Sequence, residues 1–494
     1  MNIAIIGCGI GGVHTLKTII DHPHYNENLH IHVFEKRDEF GVGIAYEDDT
    51  DYKLLNVHEE YVSLELGNPH HIYKWLEVNP DKDIRIEGML PRSVFGDYIK
   101  DTYKPYLNND NVRLHNDLVI DITKNEDKYN ISTENDTYKD FDAIFLNIGQ
   151  PYYKDAYKLS DYDNFLRDPY PLEEKLDINK NKKLSTIDND TTVGIIGTGP
   201  TSIDIYRYLR RNYGKDFPVY FFTQTSGFHP VEIPYEKNGK VCSIDDKWID
   251  DNKDDEGFID LDLIKETIKN DFKKVGHKSL LDTYDFYQNT KIEDYKKAME
   301  DNDKDLGFAQ SYTMDLWVVA AKLYNSLSGL DRLDVDKNYL QKIDFLISKT
   351  PYETMKKLIN DYDEGKIKII RGTKDINVDA NKKFSVVSKE HPDISTDIII
   401  NAQGFEKNLL KAVKNDKLLG NLYDHNFIEA DVKEKYIRVT YPSYNLLNKK
   451  YGIMDNIYLG GMWAGATDIL NNDLRSIIQA SALMATDFMD KLSD

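Results

Sequence analysis

The sequence predicts an α/β fold: two Rossmann-like dinucleotide-binding domains, one interrupting the other, with a mostly helical insertion. Three observations predict it. Two glycine-rich turns each close an apolar run, at Ile3-Ala4-Ile5-Ile6-Gly7-Cys8-Gly9-Ile10-Gly11-Gly12 and at Val193-Gly194-Ile195-Ile196-Gly197-Thr198-Gly199-Pro200-Thr201-Ser202. An acid, Glu35, follows the first turn at the spacing of a ribose-binding carboxylate. Two acid-led apolar strands, stopping at Gly149 and Gly404, flank the second turn on either side.

Each turn reads as a buried parallel strand, a tight turn and the opening of a helix. In such a unit the glycines let the backbone approach a pyrophosphate, and the helix N-terminus supplies N–H donors and positive potential. After the first turn, residues 13–20 continue as a helix, and the strand Ile31-His32-Val33-Phe34 ends in Glu35-Lys36. A polar crossover over 155–190, including Asn179–Lys183, leads to the second unit, with a helix over 202–212 and a strand over 219–222.

From about 235 to 345 the pattern becomes charged, tyrosine-rich and helical, as in 261–274 and 309–327. Beyond a helical stretch over 340–360, strands return at 366–371, 384–389 and 397–405. The chain ends in Ile457-Tyr458-Leu459-Gly460-Gly461, a loop to Asn471 and an amphipathic helix over 473–492. The expected division is 1–155 with 385–494 as one dinucleotide domain, 190–234 with 346–384 as the second, and 235–345 as the insertion.

Composition narrows the function. With 494 residues the chain exceeds one compact core. Acids number 85 against 63 bases, a net charge of −22, which disfavours a nucleic-acid partner. No run approaches the ~20 apolar residues of a membrane helix, and a strand stands where a secretory signal would, so a cytoplasmic protein without a membrane partner is expected. The two cysteines, Cys8 and Cys242, form no CxxC pair, which argues against a thiol relay, a zinc site or an iron–sulfur cluster. The acidic runs at 244–246 and 250–256 read as solvated surface, and no metal site is expected.

These pieces in this order resemble the two-dinucleotide-binding flavoproteins, in which an FAD domain is interrupted by an NAD(P)-binding domain. A more specific stretch is Gly41-Val42-Gly43-Ile44-Ala45-Tyr46, Leu54-Leu55-Asn56-Val57, Trp75-Leu76 and Pro91-Arg92-Ser93-Val94-Phe95-Gly96-Asp97-Tyr98. It is similar to the bacterial FAD/NAD(P)-binding protein family, itself distantly similar to flavin-dependent N-hydroxylating monooxygenases acting on ornithine or lysine. The resemblance implies FAD at Gly7, Gly9, Gly12, Glu35, Lys36, Gly43, Asn56, Gly149, Gly404, Gly461 and Thr467, and NADPH or NADH at Gly197, Gly199 and Ser202. Candidates beside the flavin are Asn56, Arg92 and Trp463. A turn or cap residue, a surface ion pair and core packing are the respective alternatives for these three. Tyr98 reads as core.

One departure matters. The strand after the second turn runs on into Thr223-Gln224-Thr225-Ser226-Gly227, with neither the arginine that would hold a 2′-phosphate nor an acid for a free ribose. The implied activity is an FAD-dependent oxidoreductase oxidising a nitrogen or sulfur of a small metabolite. An oxidase or dehydrogenase with a degenerate nicotinamide site is the alternative, as is an FAD-bearing scaffold whose insertion serves a homo-oligomer or a protein partner.

Overall fold

The computed structural model describes residues 1–150, 152–177, 180, 190–213, 217–224, 227–237, 239–391, 394–467, 469 and 473–492. Pro151, residues 178, 179 and 181–189 of the crossover, Thr225, Ser226 and Asn471 lie outside the described residues.

Two parallel-rich sheets organise the chain. The first has six strands in the order Asn445–Asn448, Gly452–Leu459, Ala143–Leu146, Asn2–Ile6, His30–Glu35 and Val112–Asn116. Only the first of these runs antiparallel to its neighbour. Apolar β-branched residues fill its centre because both faces are covered: Ile3, Ile5, Ile31, Val33 and Ile144 are wholly buried. The second sheet has five parallel strands in the order Ile367–Ile370, Val219–Phe222, Val193–Ile196, Ile398–Asn401 and Phe165–Leu166.

The chain therefore crosses from the first sheet to the second after Leu146 and returns after Asn401. The two crossings run side by side. Tyr153 and Phe405 form an antiparallel bridge with ring centroids 4.4 Å apart, and the Lys154 amide donates to the Gly404 carbonyl at 2.9 Å. The buried Asn401 side chain ties them further, donating to the Lys154 and Arg167 carbonyls at 2.9 Å each. The second sheet extends to Asn401, past the boundary at 384 drawn from the sequence. Two antiparallel three-stranded sheets join these, Val119–Asn125 with Lys128–Thr133 and Thr137–Phe141, and Thr373–Val378 with Phe384–Ser388 and Ile394–Thr396; the sequence reading contained the strand at 384–389 but neither sheet.

Between 235 and 345 the described residues form helices and no strands. Two expected long helices are broken. The 309–327 stretch divides at Val318-Val319 into Lys304–Trp317 and Ala320–Asn325. The 340–360 stretch divides into Leu340–Ile347 and Tyr352–Asp363 at Pro351, whose ring disfavours helical geometry in the residue before it. The final helix, Leu474–Lys491, meets its expectation closely. The Asp473 side chain caps it, accepting from the Ser476 amide at 2.9 Å.

Candidate functional site

At the first turn, strand and helix approach as closely as backbones allow. A Cβ on Gly12 would stand 2.0 Å from the Gly7 carbonyl oxygen, so the helix Ile10–Asp21 can start only on glycine. Gly7 holds φ +88° under the Asn147 carbonyl, 2.1 Å from where its own Cβ would be. Gly9 differs. A Cβ there would meet nothing nearer than the Gly43 Cα at 3.5 Å, and one on Gly43 would lie 3.1 Å from the Gly9 Cα. Two bare backbones thus pack against each other at a helix N-terminus, and side chains would crowd the backbone there. Such a cradle suits a diphosphate.

The acid expected beside this gap is there. Glu35 is buried, its Oε2 accepting from the Cys8 amide at 2.9 Å and its Oε1 from the Arg37 amide at 3.2 Å. Lys36 is exposed. The loop from Gly41 to Tyr46 is held by the helix Arg92–Leu107: Phe95 packs against Tyr46 with ring centroids 4.9 Å apart, and a Cβ on Gly96 would lie 2.3 Å from the Tyr46 carbonyl. The FG pair of the sequence pattern is thereby a packing requirement of the GxGxAY loop. Tyr98 is wholly buried, as expected, its hydroxyl accepting from the Leu64 amide at 3.2 Å.

Asn147 joins the remaining parts. Its Oδ1 lies where Cβ atoms on Gly11 and Gly460 would come, at 2.7 and 3.2 Å. Gly149 and Gly461 both hold positive φ near this strand end. Thr467 is buried, donating from its hydroxyl to the Val439 carbonyl at 3.3 Å, while its own carbonyl accepts from Asn325 of the insertion at 2.7 Å. Two expectations need correction. Trp463 is 1% exposed, and its carbonyl accepts from the Ile437 amide, so it is core and not a wall of the site. Gly404 belongs with the second turn, because its strand pairs with Val193–Ile196 and a Cβ on Gly197 would lie 2.6 Å from the Ala402 carbonyl.

Two buried acceptors near the cradle have no hydrogen-bond partner among the described residues, Glu47 Oε1 and Asp473 Oδ2. Glu47 follows Tyr46 directly. Asp473 stands one turn before Ile477, whose Cγ2 lies 3.3 Å from the Cβ position of Gly11. Burial pushes the Asp473 carboxyl up to about 6, and it raises Glu47 as well. Unpaired buried acceptors at a glycine cradle are what a ligand bearing hydroxyl and N–H donors would satisfy. The donor set fits FAD.

A narrow cleft of about 20 Å³ lies between the second glycine turn and the Leu54–Asn56 and Arg92 segments of the first unit. Asn56 and Arg92 line one wall, Thr198, Gly199 and Pro200 the facing wall, and His229 and Lys349 one end. Ser202 is fully buried, its hydroxyl donating to the Gly199 carbonyl at 2.6 Å, so it locks the second turn. Thr198 donates to the Gly227 carbonyl at 2.7 Å. The cleft is lined by His229 and residues 348–351, which flank the insertion; among the described residues the 235–345 insertion itself contributes none of the lining and meets the C-terminal loop through Asn325.

Buried charges span the cleft. Arg92 donates from Nε to the Leu54 carbonyl at 2.9 Å and reaches Asp204 at 3.8 Å. Asp204 accepts from the Tyr170 hydroxyl at 2.8 Å and pairs with Arg207 at 3.3 Å, and Arg207 pairs with Glu87 at 2.9 Å. Burial pushes the Glu87 carboxyl up, but Arg207, Thr354 and Lys357 together hold it below its ordinary value. This chain of ions binds the second helix, Pro200–Tyr213, to the first unit and sets the cleft's width. Sequence reading missed Asp204, Arg207, Glu87, His229 and Asp473. Only position in the second helix hinted at the first two.

Comparison with known proteins agrees with this geometry. Residues 4–151 match the FAD-NAD(P)-binding family model. The segment so matched carries the whole first turn, Glu35, Gly43, Asn56, Arg92 and the strand leading to Gly149. A curated relative, uncharacterized protein YdhS of Escherichia coli (strain K12), is 30% identical over 112 residues, 20% of each chain, so the match spans about a fifth of that protein. Among solved structures, the ornithine N-hydroxylase KtzI of Kutzneria sp. 744, solved with reduced FAD, NADP⁺ and L-ornithine, aligns with a TM-score of 0.61. Its identity is 14%, over 100% of this chain and 99% of that one. The FAD-bound cadaverine monooxygenase DfoA of Erwinia amylovora aligns at 0.60, with 11% identity over 98% and 93%. The bacillithiol disulfide reductase Bdr (YpdA) of Staphylococcus aureus aligns at 0.53, with 11% identity over 99% and 98%. At these identities the likeness is one of fold, the two-dinucleotide-binding α/β architecture expected from the sequence.

Proposed function

We propose that this protein is an FAD-dependent oxidoreductase that takes hydride from a nicotinamide nucleotide and oxidises a nitrogen or sulfur of a small metabolite, as a monooxygenase. The observation that carries the reading is a glycine turn in each unit, with the cleft beside the second turn lined by Asn56 and Arg92 of the first unit. Gly9 and Gly43 of the first unit hold the FAD diphosphate, with Glu35 at a ribose and Asp473 and Glu47 as acceptors for its donors. Gly197, Gly199 and the second helix face the cleft across Asn56 and Arg92, where a nicotinamide would meet the flavin. The fold neighbours, whose names describe ornithine and cadaverine oxidation, favour the monooxygenase branch. The thiol-relay branch of the disulfide reductases is disfavoured: Cys8 and Cys242 are both buried, and burial pushes both thiols up, keeping them protonated.

Bound FAD supplies the two-electron chemistry; the chain supplies position. Asn56, exposed on the cleft wall, orients a ring or substrate by its amide. Arg92, fixed by the Leu54 carbonyl, presents positive charge to an anionic group. Asp204 and Arg207 hold the second turn at its distance. The balance is one NAD(P)H, one proton and one oxygen giving NAD(P)⁺, one water and one oxygen atom transferred to substrate.

Anaerobic addition of NADH or NADPH to FAD-replete protein tests this, with the flavin band bleaching and returning on admission of air. Failure of both nucleotides to bleach it would leave the second reading, a flavin oxidase or dehydrogenase. That reading draws on the ion chain Arg92–Asp204–Arg207–Glu87, which occupies the space between the turns.

A further inference from the structure

His229 is the one cleft residue whose polar atom is buried without a partner. Its Nδ1 is among the four buried side-chain atoms with no hydrogen bond among the described residues, and its ring lines the cleft beside Arg92 and Gly199. The ring is fixed from both sides. It stacks on Phe345 at 6.0 Å between centroids, and its carbonyl accepts from the Thr350 hydroxyl at 3.1 Å. The neighbouring Pro230 carbonyl accepts from the Thr350 amide at 2.8 Å. A rigid, orphaned ring nitrogen is costly to bury, and it persists where a ligand repays the cost.

We propose that His229 is a ligand-binding residue of the cleft, its Nδ1 accepting an N–H from the nicotinamide carboxamide of a nucleotide whose anionic part lies toward Arg92 and the second turn. Three features make this ligand class fit. The ring Nδ1 has no hydrogen-bond partner among the described residues, so in the tautomer protonated at Nε2 it is a free acceptor. Burial pushes the imidazole pKa down, so it stays neutral and does not repel Arg92 or Lys349. The same cleft is lined by anion-binding elements, a glycine turn opening a 14-residue helix and the Arg92 guanidinium. An acceptor and positive charge lining one cleft match a carboxamide joined through a ribose to a pyrophosphate.

The inference rests on the nicotinamide reading above, and the test separates the two. FAD-replete, full-length protein is titrated with NAD⁺, NADP⁺ and ADP-ribose, which lacks the nicotinamide, in wild type, H229F and H229N. Phe keeps the stack on Phe345 without the acceptor; Asn places an oxygen near the Nδ1 position. H229F should weaken NAD⁺ or NADP⁺ binding about ten- to a hundredfold and H229N should restore most of it, with ADP-ribose unchanged in all three. Flavin content and melting temperature report folding. In the wild type, the His229 Nδ1 nitrogen-15 resonance should shift on adding the tighter nucleotide and not on adding ADP-ribose. Equal binding by H229F, or an equal loss with ADP-ribose, overturns the assignment while the nicotinamide reading stands. Binding of neither nucleotide by the wild type overturns both.

Discussion

Replacing Asp473 by Asn should make the apoprotein more stable and its FAD complex weaker. The carboxyl is buried, Oδ1 caps the C-terminal helix at the Ser476 amide, and Oδ2 has no partner. Its pKa rises from 3.8 to about 6 on folding. At about 1.4 kcal/mol per pH unit, that difference disfavours the folded state by about 3 kcal/mol at neutral pH. The sign follows from proton counting. Between pH 3.8 and about 6 the folded state holds more of this proton, so stability falls as pH rises through that window and stays low above it. Asn keeps the cap but forfeits an anion at a helix N-terminus, about 0.3–1 kcal/mol, leaving a net gain of about 2 kcal/mol. Calorimetry of the apoprotein should show D473N melting several degrees above wild type at pH 8, with the two converging near pH 4. With FAD most of that gain should be lost. Asn must either turn its NH₂ toward the ligand's donors or release Ser476, so flavin affinity should drop about tenfold by fluorescence titration. A variant that melts below wild type at pH 8, or a difference that does not change with pH, refutes the argument.

Gly9→Val should fold as well as wild type, since a side chain there meets only Gly43, yet purify without yellow colour because it fills the cradle; flavin absorbance and melting temperature read together decide this. Gly96→Ala should lower the melting temperature: its Cβ would press the Tyr46 carbonyl at 2.3 Å, and overpacking of about 1–3 kcal/mol exceeds the ~1 kcal/mol gained in helix propensity. NADPH and NADH should differ little in affinity. Gln224 is neutral, its Nε2 3.4 Å from the Tyr157 hydroxyl, while Lys237 and Lys240 are paired with Asp315 and Asp245. Gln224→Arg should favour NADPH by about ten- to a hundredfold in steady-state KM, and no change would place the 2′-phosphate elsewhere.

Local pattern carried the fold a long way. The two turns, their helices and the acid after the first are short-range signals, because a dinucleotide loop needs its glycines, strand and helix within some thirty residues. The structure explains even the longer pattern in these terms: Gly96 and the Gly41–Tyr46 loop are fifty residues apart in sequence but meet at a carbonyl. The antiparallel sheets were missed because their strands are half exposed and short, with polar residues such as Asp121, Thr123, Asn130 and Ser132 diluting the alternation. Pro351 was visible, yet the 340–360 periodicity on both sides of it reads through the break.

The cleft was less legible, for a physical reason. Its decisive groups work in pairs drawn from distant segments: Arg92 with Asp204, Arg207 with Glu87, and His229 with a ligand. An acid in an amphipathic helix looks the same whether it faces water or an arginine from another unit, so Asp204 carried no mark of its partner. Trp463 is the converse case. A large aromatic in a glycine-rich loop suggested a pocket wall, and burial at 1% exposure shows that the loop turns it inward. What single-chain pattern does transmit is the backbone's demand for glycine, and what it withholds is where charges meet. Buried ion pairs are expensive to form and severe to break. A second helix held by Asp204 and Arg207 therefore keeps one separation from the first unit, and that separation, more than any side chain in the cleft, decides whether a nicotinamide can lie against a flavin.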